Sequence, residues 1–159
     1  MKEFLIIAIS GAVGTAGFAL LFRINKKRLP FAILGGMLCS IIYLIMTKFC
    51  PYEFVQMMVP SAFATAYAEV FARILKAPSS TLLVPSIIVL VPGKSLYYTM
   101  NHVVAWDTES FSQTAYLTIE LAGGIAAGIM LVSAVVYHMV ERKNRKKILA
   151  EISEKHIKP

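Results

Sequence analysis

The sequence predicts an all-α integral membrane protein with five transmembrane helices, an N-terminus outside the cell and a cytoplasmic C-terminus. The 159 residues are 57% hydrophobic with a mean hydropathy of +0.67, and the charges cluster between long apolar stretches. Residues 4–22 and 31–47 carry no charge. Each stretch approaches the roughly 20 residues that a helix needs to cross a hydrocarbon core of about 30 Å. A chain this short cannot bury several such helices within its own fold, so a membrane must cover them.

Five spans follow one another with short connections. Short basic turns follow the first and third spans, a turn containing Pro51 follows the second, and an acidic loop at residues 107–113 follows the fourth. The fourth is irregular because Pro85, Pro92 and Gly93 lie inside it. The predicted spans are residues 4–22, 31–47, 54–72, 81–106 and 114–140.

The positions of the basic residues predict the orientation. Four Lys or Arg residues follow the first span, two follow the third and seven follow the fifth. Five crossings place all of these on one side, and such an excess is typical of cytoplasmic segments. A re-entrant fourth span would move the seven-charge tail outside. The same distribution explains the net charge of +7 without nucleic-acid binding. Residues 1–140 therefore form the predicted membrane domain and residues 141–159 a charged cytoplasmic tail.

Small residues crowd the first and fifth spans, at positions 10–17 and 122–128. Helices in lipid associate through close backbone approach at such residues. We therefore expect these runs to form tight helix–helix interfaces, within the chain or with a partner, and to carry no chemistry.

Three charged residues in or next to the spans are candidates for ion coupling or for ion pairs. Ser61, Thr65, Glu69 and Arg73 recur every four residues and share one helix face. Glu69 and Arg73 either anchor the helix end as an ion pair or belong to the hydrophilic wall of a substrate path. Glu120 shares a face with the glycines of the fifth span. Ionisable groups in a membrane are costly and by default functional, although Glu120 is equally compatible with a position near the outer interface.

The fourth span is the most informative segment. Broken backbone at membrane depth is tolerated where it is buried in protein or lines a watery cavity, and transporters use such breaks to bind substrates and ions. After the break, polar residues recur on one helical face, opposite Leu96, Met100 and Val103. We expect a solvated path here, with a simple proline kink as the alternative. The candidate substrate-binding residues are Pro85, Pro92, Gly93, Lys94, Tyr97, Tyr98 and Asn101, and His102 shares their face.

No catalytic, metal or cofactor motif is present in the sequence. The three histidines are not spaced as metal ligands, and nothing positions Ser86, His102 and Asp107 as a triad. Cys39 and Cys50 would lie about 16 Å apart on a continuous helix, too far for a disulfide. The sequence therefore favours a protein that is not an enzyme and needs no cofactor.

Three segments of the chain resemble the threonine/serine exporter (ThrE) family. They are residues 72–78 (ARILKAP), the double-proline segment 84–93 (VPSIIVLVPG) and residues 96–100 (LYYTM). More closely, the chain looks like the small YjjB-like proteins, which correspond to the C-terminal membrane half of such an exporter. Lys94 departs from the family pattern, in which a small residue follows the Pro-Gly pair, so the resemblance assigns it no role.

The resemblance implies one subunit of a secondary exporter in the bacterial cytoplasmic (inner) membrane. The substrate would be threonine, serine or another small carboxylate, dicarboxylates such as succinate included. A larger YjjP-like membrane subunit would supply the other half, and two five-span units joined in this way have opposite orientations, the inverted-repeat plan of many transporters. The alternative is a non-transporting scaffold or assembly subunit of the same complex.

Overall fold

A computed structural model describes the backbone of residues 2–157 and the side-chain surroundings of residues 5–142 and Arg145. Over that backbone the chain forms six α-helices and one short 3-10 helix, and no strand. The predicted all-α class is therefore confirmed. The helices are α1 (Lys2–Leu21), α2 (Leu29–Phe49), α3 (Glu53–Ile74), α4 (Ser80–Ile87), α5 (Gly93–Val104) and α6 (Thr108–Ile157), with the 3-10 helix at Ile88–Leu90 between α4 and α5.

Two or three segments meet the length and apolarity of a membrane span. They are α2 (Leu29–Phe49) and the Thr108–Arg142 part of α6. The bent pair Ser80–Leu90 and Gly93–Val104 is the third if the pair counts as one span. The apolar helix Leu5–Leu21 is shorter. Helix α3 carries Glu53 in its first turn and Arg73 in its last, and it is not among the segments that meet this measure.

Helices α1 and α2 pack through reciprocal small residues. A methyl group at Gly11 would overlap the Ser40 side chain, and one at Gly36 would overlap Thr15. Both hydroxyls are satisfied inside their own helices, because Thr15 donates to the Gly11 carbonyl at 2.8 Å and Ser40 to the Gly36 carbonyl at 3.0 Å. The small residues therefore let the two backbones approach without leaving a polar group unpaired.

Helices α3 and α6 run parallel. Gly124 lies against the Phe54 carbonyl, and Gly128 lies against Ser61 and the Met58 carbonyl. The residue numbers of both helices rise in the same direction along this contact. The segment between α3 and α6 must therefore return the chain to its starting end, which agrees with a fourth segment that passes through the fold.

Helix α4 is buried among α1, α2 and α3. Leu82, near its start, packs with Ala19, Ala32 and Ala68 beside the α1–α2 and α3–α4 connections. The 3-10 helix then carries Leu90 into a second core cluster with Cys39, Met57, Ala64 and Leu121. The basic residues of both connections therefore lie at one end of the fold. The break between α4 and α5 follows the second cluster, and Val91 and Gly93 at this break are exposed.

Three helices end in the same way. Arg23, Lys76 and Trp106 have φ values of 52°, 47° and 57°, the left-handed conformation of a helix C-terminal cap. The amide that follows each one bonds back to the last turn, as Ile24 does to the Ala19 carbonyl at 3.0 Å and Ala77 to the Ala72 carbonyl at 2.9 Å. These caps end α1, α3 and α5 without glycine.

The predicted loop at residues 107–113 is wrong, because α6 begins at Thr108. Asp107 caps this helix, and its Oδ1 accepts the Ser110 N–H at 3.2 Å. The hydrogen bonds from Ser110, with a smaller contribution from His102, lower the pKa of Asp107 from its ordinary value. The backbone of the predicted tail continues α6 as far as Ile157. Both cysteines of the chain, Cys39 and Cys50, are free, as expected.

Candidate functional site

The break between α4 and α5 forms at Pro92 and leaves Pro85 inside a continuous helix. Pro85 is fully buried, and α4 continues past it to Ile87. Val91 adopts an extended conformation with ψ of 125°, the region that a following proline favours. Pro92 is the N-cap of α5, and the two arms of the segment meet at 56°. The double-proline segment therefore contains one break, at Pro92-Gly93.

A cavity of about 380 Å³ lies beside this break. Its volume is within the range of small-molecule sites. The apolar part of its wall comes from four different elements and includes Tyr43, Met57, Leu90, Leu117 and Leu121. The polar part includes Lys94, Ser95, Tyr98 and Thr114.

Within the part of the chain that the structure describes, Lys94 is the cation that lines the cavity, and no carboxylate lines it. Among the described residues, ion pairs form between Glu69 and Arg73 and between His102 and Asp107. Lys94 and Glu120, which would neutralise each other if they were adjacent, therefore do not form an ion pair. Glu120 is partly buried on α6 and does not line the cavity. The cavity thus carries a positive charge that a bound anion would complement.

The other predicted residues of the α5 face divide between the cavity and the outer surface. Tyr98 lines the cavity, as do Pro92 and Gly93. Tyr97 is 67% exposed, with its ring edge-on to that of Tyr98 at 5.7 Å, and Asn101 is also exposed. His102 lies at the far end of α5, where its Nδ1 is 3.7 Å from Asp107 Oδ2. Pro85 lies in the core away from the cavity.

Four hydroxyl residues that the sequence interpretation missed join α5 to α6. Ser95 Oγ is 2.7 Å from Thr118 Oγ1, and Thr99 Oγ1 is 3.1 Å from the same atom. Thr118 also donates to the carbonyl of Thr114 at 2.7 Å. Ser95 and Thr99, and likewise Thr114 and Thr118, are four residues apart and so share a helix face. The four-residue spacing of hydroxyl residues in both helices is the sequence signal that would have identified them.

The family comparison covers nearly all of the apolar chain. The family model described as threonine/serine exporter, ThrE, matches residues 7–135. The chain belongs to the threonine/serine exporter family. This membership indicates a membrane protein with a transport-related role. Neither the comparison with curated proteins nor the comparison with solved structures found a match.

In this member of the ThrE family, the polar face of α3 separates into a packing part and a charged part. Ser61 and Thr65 are buried, and their hydroxyls donate to carbonyls of their own helix at 2.9 and 2.8 Å. Both are therefore satisfied without facing a watery path. Arg73 Nη2 lies 3.7 Å from Glu69 Oε2, with the Arg73 side chain 57% exposed. Glu69 and Arg73 thus form an ion pair at the end of α3.

Proposed function

We propose that this chain is one subunit of a secondary exporter for small carboxylate-bearing metabolites, either threonine and serine or a dicarboxylate such as succinate. The observation that supports the proposal most is the cavity at Pro92-Gly93, where Lys94 supplies a positive charge within a mostly apolar wall. Membership of the threonine/serine exporter family supports the same role.

Helix α5 offers a carboxylate more than the Lys94 charge. The first amides of a helix have no partner within the helix, and the helix dipole favours negative charge at that end. Gly93 already donates to the Val91 carbonyl at 2.7 Å, which leaves the next amides of the first turn for a ligand. In the proposed bound state the substrate carboxylate lies beside Lys94, and the Tyr98 hydroxyl supplies a further hydrogen bond.

Tyr97 and Asn101 line the proposed path only if a second subunit covers α5. Both are exposed, together with the apolar residues Leu96 and Met100 on the same helix. Helix α5 packs extensively against α6 alone, so much of its surface is available to a neighbour. We therefore propose that a larger YjjP-like membrane subunit completes the cavity on this side.

The proposed topology has five crossings in the bacterial inner membrane, with the N-terminus outside. The fold supports it, because the basic connections after α1 and α3 lie at the same end and the parallel α6 carries Arg142 towards that end. Two such units of opposite orientation would form an inverted repeat. Within this plan, Glu69, Arg73 and Glu120 are candidates for ion coupling, with Glu69 and Arg73 already paired.

Replacing Lys94 tests the proposed site. Lys94→Met keeps the length of the side chain and removes its charge. Hydrogen bonds to charged groups contribute about 1.5–3 kcal/mol, so we expect efflux of labelled threonine or succinate, measured with the partner present, to fall by about ten- to a hundredfold. Lys94→Arg should retain more of the activity than Lys94→Met because it keeps the charge.

Lys48→Met is the matched control, because Lys48 is also exposed but lies at the end of α2 outside the cavity. Its efflux should equal that of the wild type. All variants should insert in the membrane and associate with the partner normally. Wild-type efflux with unchanged substrate preference from Lys94→Met would favour the scaffold alternative and contradict the binding site.

A further inference from the structure

A second opening lies between α3 and α6, on the far side of their glycine contact. The groove has a volume of about 390 Å³. One wall is the apolar run of α6 from Leu131 to Met139, and the other is formed by Ala66, Glu69, Val70 and Arg73 of α3. The two helices touch at Gly124 and Gly128. Beyond that contact the groove lies between them, and the small, exposed Ala66 of α3 lines it together with the larger apolar side chains of α6.

The groove is apolar along its length and positively charged at one end. Arg73 lines that end and is 57% exposed, and its 3.7 Å distance to Glu69 leaves guanidinium N–H groups for another acceptor. Arg142 lies three residues after Met139, on the next turn of α6. Lys76 lies three residues after Arg73, in the connection that follows α3. Lys76 and Arg142 are both exposed. Arg73 therefore lines one end of an apolar groove, and Lys76 and Arg142 lie within about one helical turn of its lining residues along the chain, with Glu69 and Glu141 as the neighbouring carboxylates.

This combination fits an amphiphile with an anionic head and an apolar chain. We propose that the α3–α6 groove binds one acyl chain of an anionic phospholipid, with its phosphate beside Arg73 and Arg142. Basic pockets between transmembrane helices on the cytoplasmic side bind anionic headgroups in this way. The inference rests on the proposed topology, in which this end of the fold is cytoplasmic, and it involves a surface separate from the Lys94 cavity.

Native mass spectrometry of the full chain in mild detergent tests the proposal, with dioleoyl phosphatidylglycerol and dioleoyl phosphatidylcholine as competing probes. Each basic residue near a membrane surface favours anionic lipid by roughly fivefold. We therefore expect retention of phosphatidylglycerol over phosphatidylcholine by at least that factor. Arg73→Gln should reduce the preference about fivefold, and Ala66→Leu, which fills the groove, should reduce the retention of both lipids.

Matched controls separate the groove from general effects. Ala126→Leu places the same side chain at an exposed position of α6 outside the groove, and Arg23→Gln removes a cation from the α1–α2 connection. Both should bind phosphatidylglycerol as the wild type does, and so should Lys94→Met, whatever its efflux. Equal retention of the two lipids would overturn the proposal. So would unchanged binding by both Arg73→Gln and Ala66→Leu, or a dimer of this chain that Ala66→Leu dissociates.

Discussion

At Gly128 the missing side chain decides how closely two helices approach. A methyl group there would overlap the Ser61 hydroxyl and the Met58 carbonyl, whereas nothing lies within 4 Å of the corresponding point at Gly17. Glycine lowers the stability of a helix interior by roughly 0.5–1 kcal/mol relative to alanine. The same substitution should therefore have opposite effects at the two sites.

We expect Gly128→Ala to lower the free energy of unfolding by about 1–3 kcal/mol, the usual range for overpacking of a tight interface. Gly17→Ala should be neutral or should raise it by up to about 1 kcal/mol. Unfolding of the purified chain in detergent, followed by helical circular dichroism, measures both. A Gly128→Ala variant as stable as Gly17→Ala would show that the α3–α6 contact does not depend on Gly128.

At the scale of the helices, the sequence predicted the ends of α1, α2 and α3 to within two residues, because long apolar runs between charged turns define a helix clearly. It also placed a break at Pro92-Gly93, where the structure has one, but it treated Pro85 as a second interruption of the fourth segment. Both prolines disturb a helix in principle, but α4 accommodates Pro85 in its packed core, and the break forms where glycine follows proline. That outcome depends on tertiary contacts which local sequence does not specify.

The sequence interpretation also did not identify which side of α5 is buried. Polar side chains were expected to turn away from lipid, which selected the face of Lys94, Tyr97 and Asn101. The structure packs Ser95 and Thr99 against α6 instead, because small hydroxyl residues allow close approach and still satisfy each other. The start of α6 was missed for a related reason: Asp107 in an acidic segment acts as a helix cap.

The passage of α4 and α5 through the membrane has a direct test. Glu109 lies at the start of α6, and Arg142 lies at the other end of its apolar part. In a Cys50→Ser background, a membrane-impermeant maleimide should label Glu109→Cys in intact cells and Arg142→Cys only after permeabilisation. Buried Cys39 serves as the unlabelled control. The reversed pattern, with Arg142→Cys labelled in intact cells, would contradict the passage of α4 and α5 through the membrane, and labelling of both cysteines from the same side would rule out a crossing α6.

For the whole molecule, the main observation is how much of α5 and of the start of α6 lies outside the core clusters. Helix α6 first packs against the core cluster of α2 and α3 at Leu117, so about 14 Å of helix precedes that level at 1.5 Å per residue. Trp106, between the two helices, is 91% exposed. Lipid covers apolar surface in a membrane, whereas the exposed polar side chains of Tyr97 and Asn101 on α5 favour a protein neighbour. They support the proposed larger subunit, which would close the cavity and provide the rest of the substrate path.

Efflux from loaded cells tests this account most directly. Cells lacking related exporters are loaded with labelled threonine or succinate and express this chain alone, a YjjP-like partner alone, or both. We predict efflux well above background only when both are present, because neither half alone encloses a complete path. Full export by this chain alone would contradict its role as a subunit, and no export of any small carboxylate by the pair would contradict the proposed function.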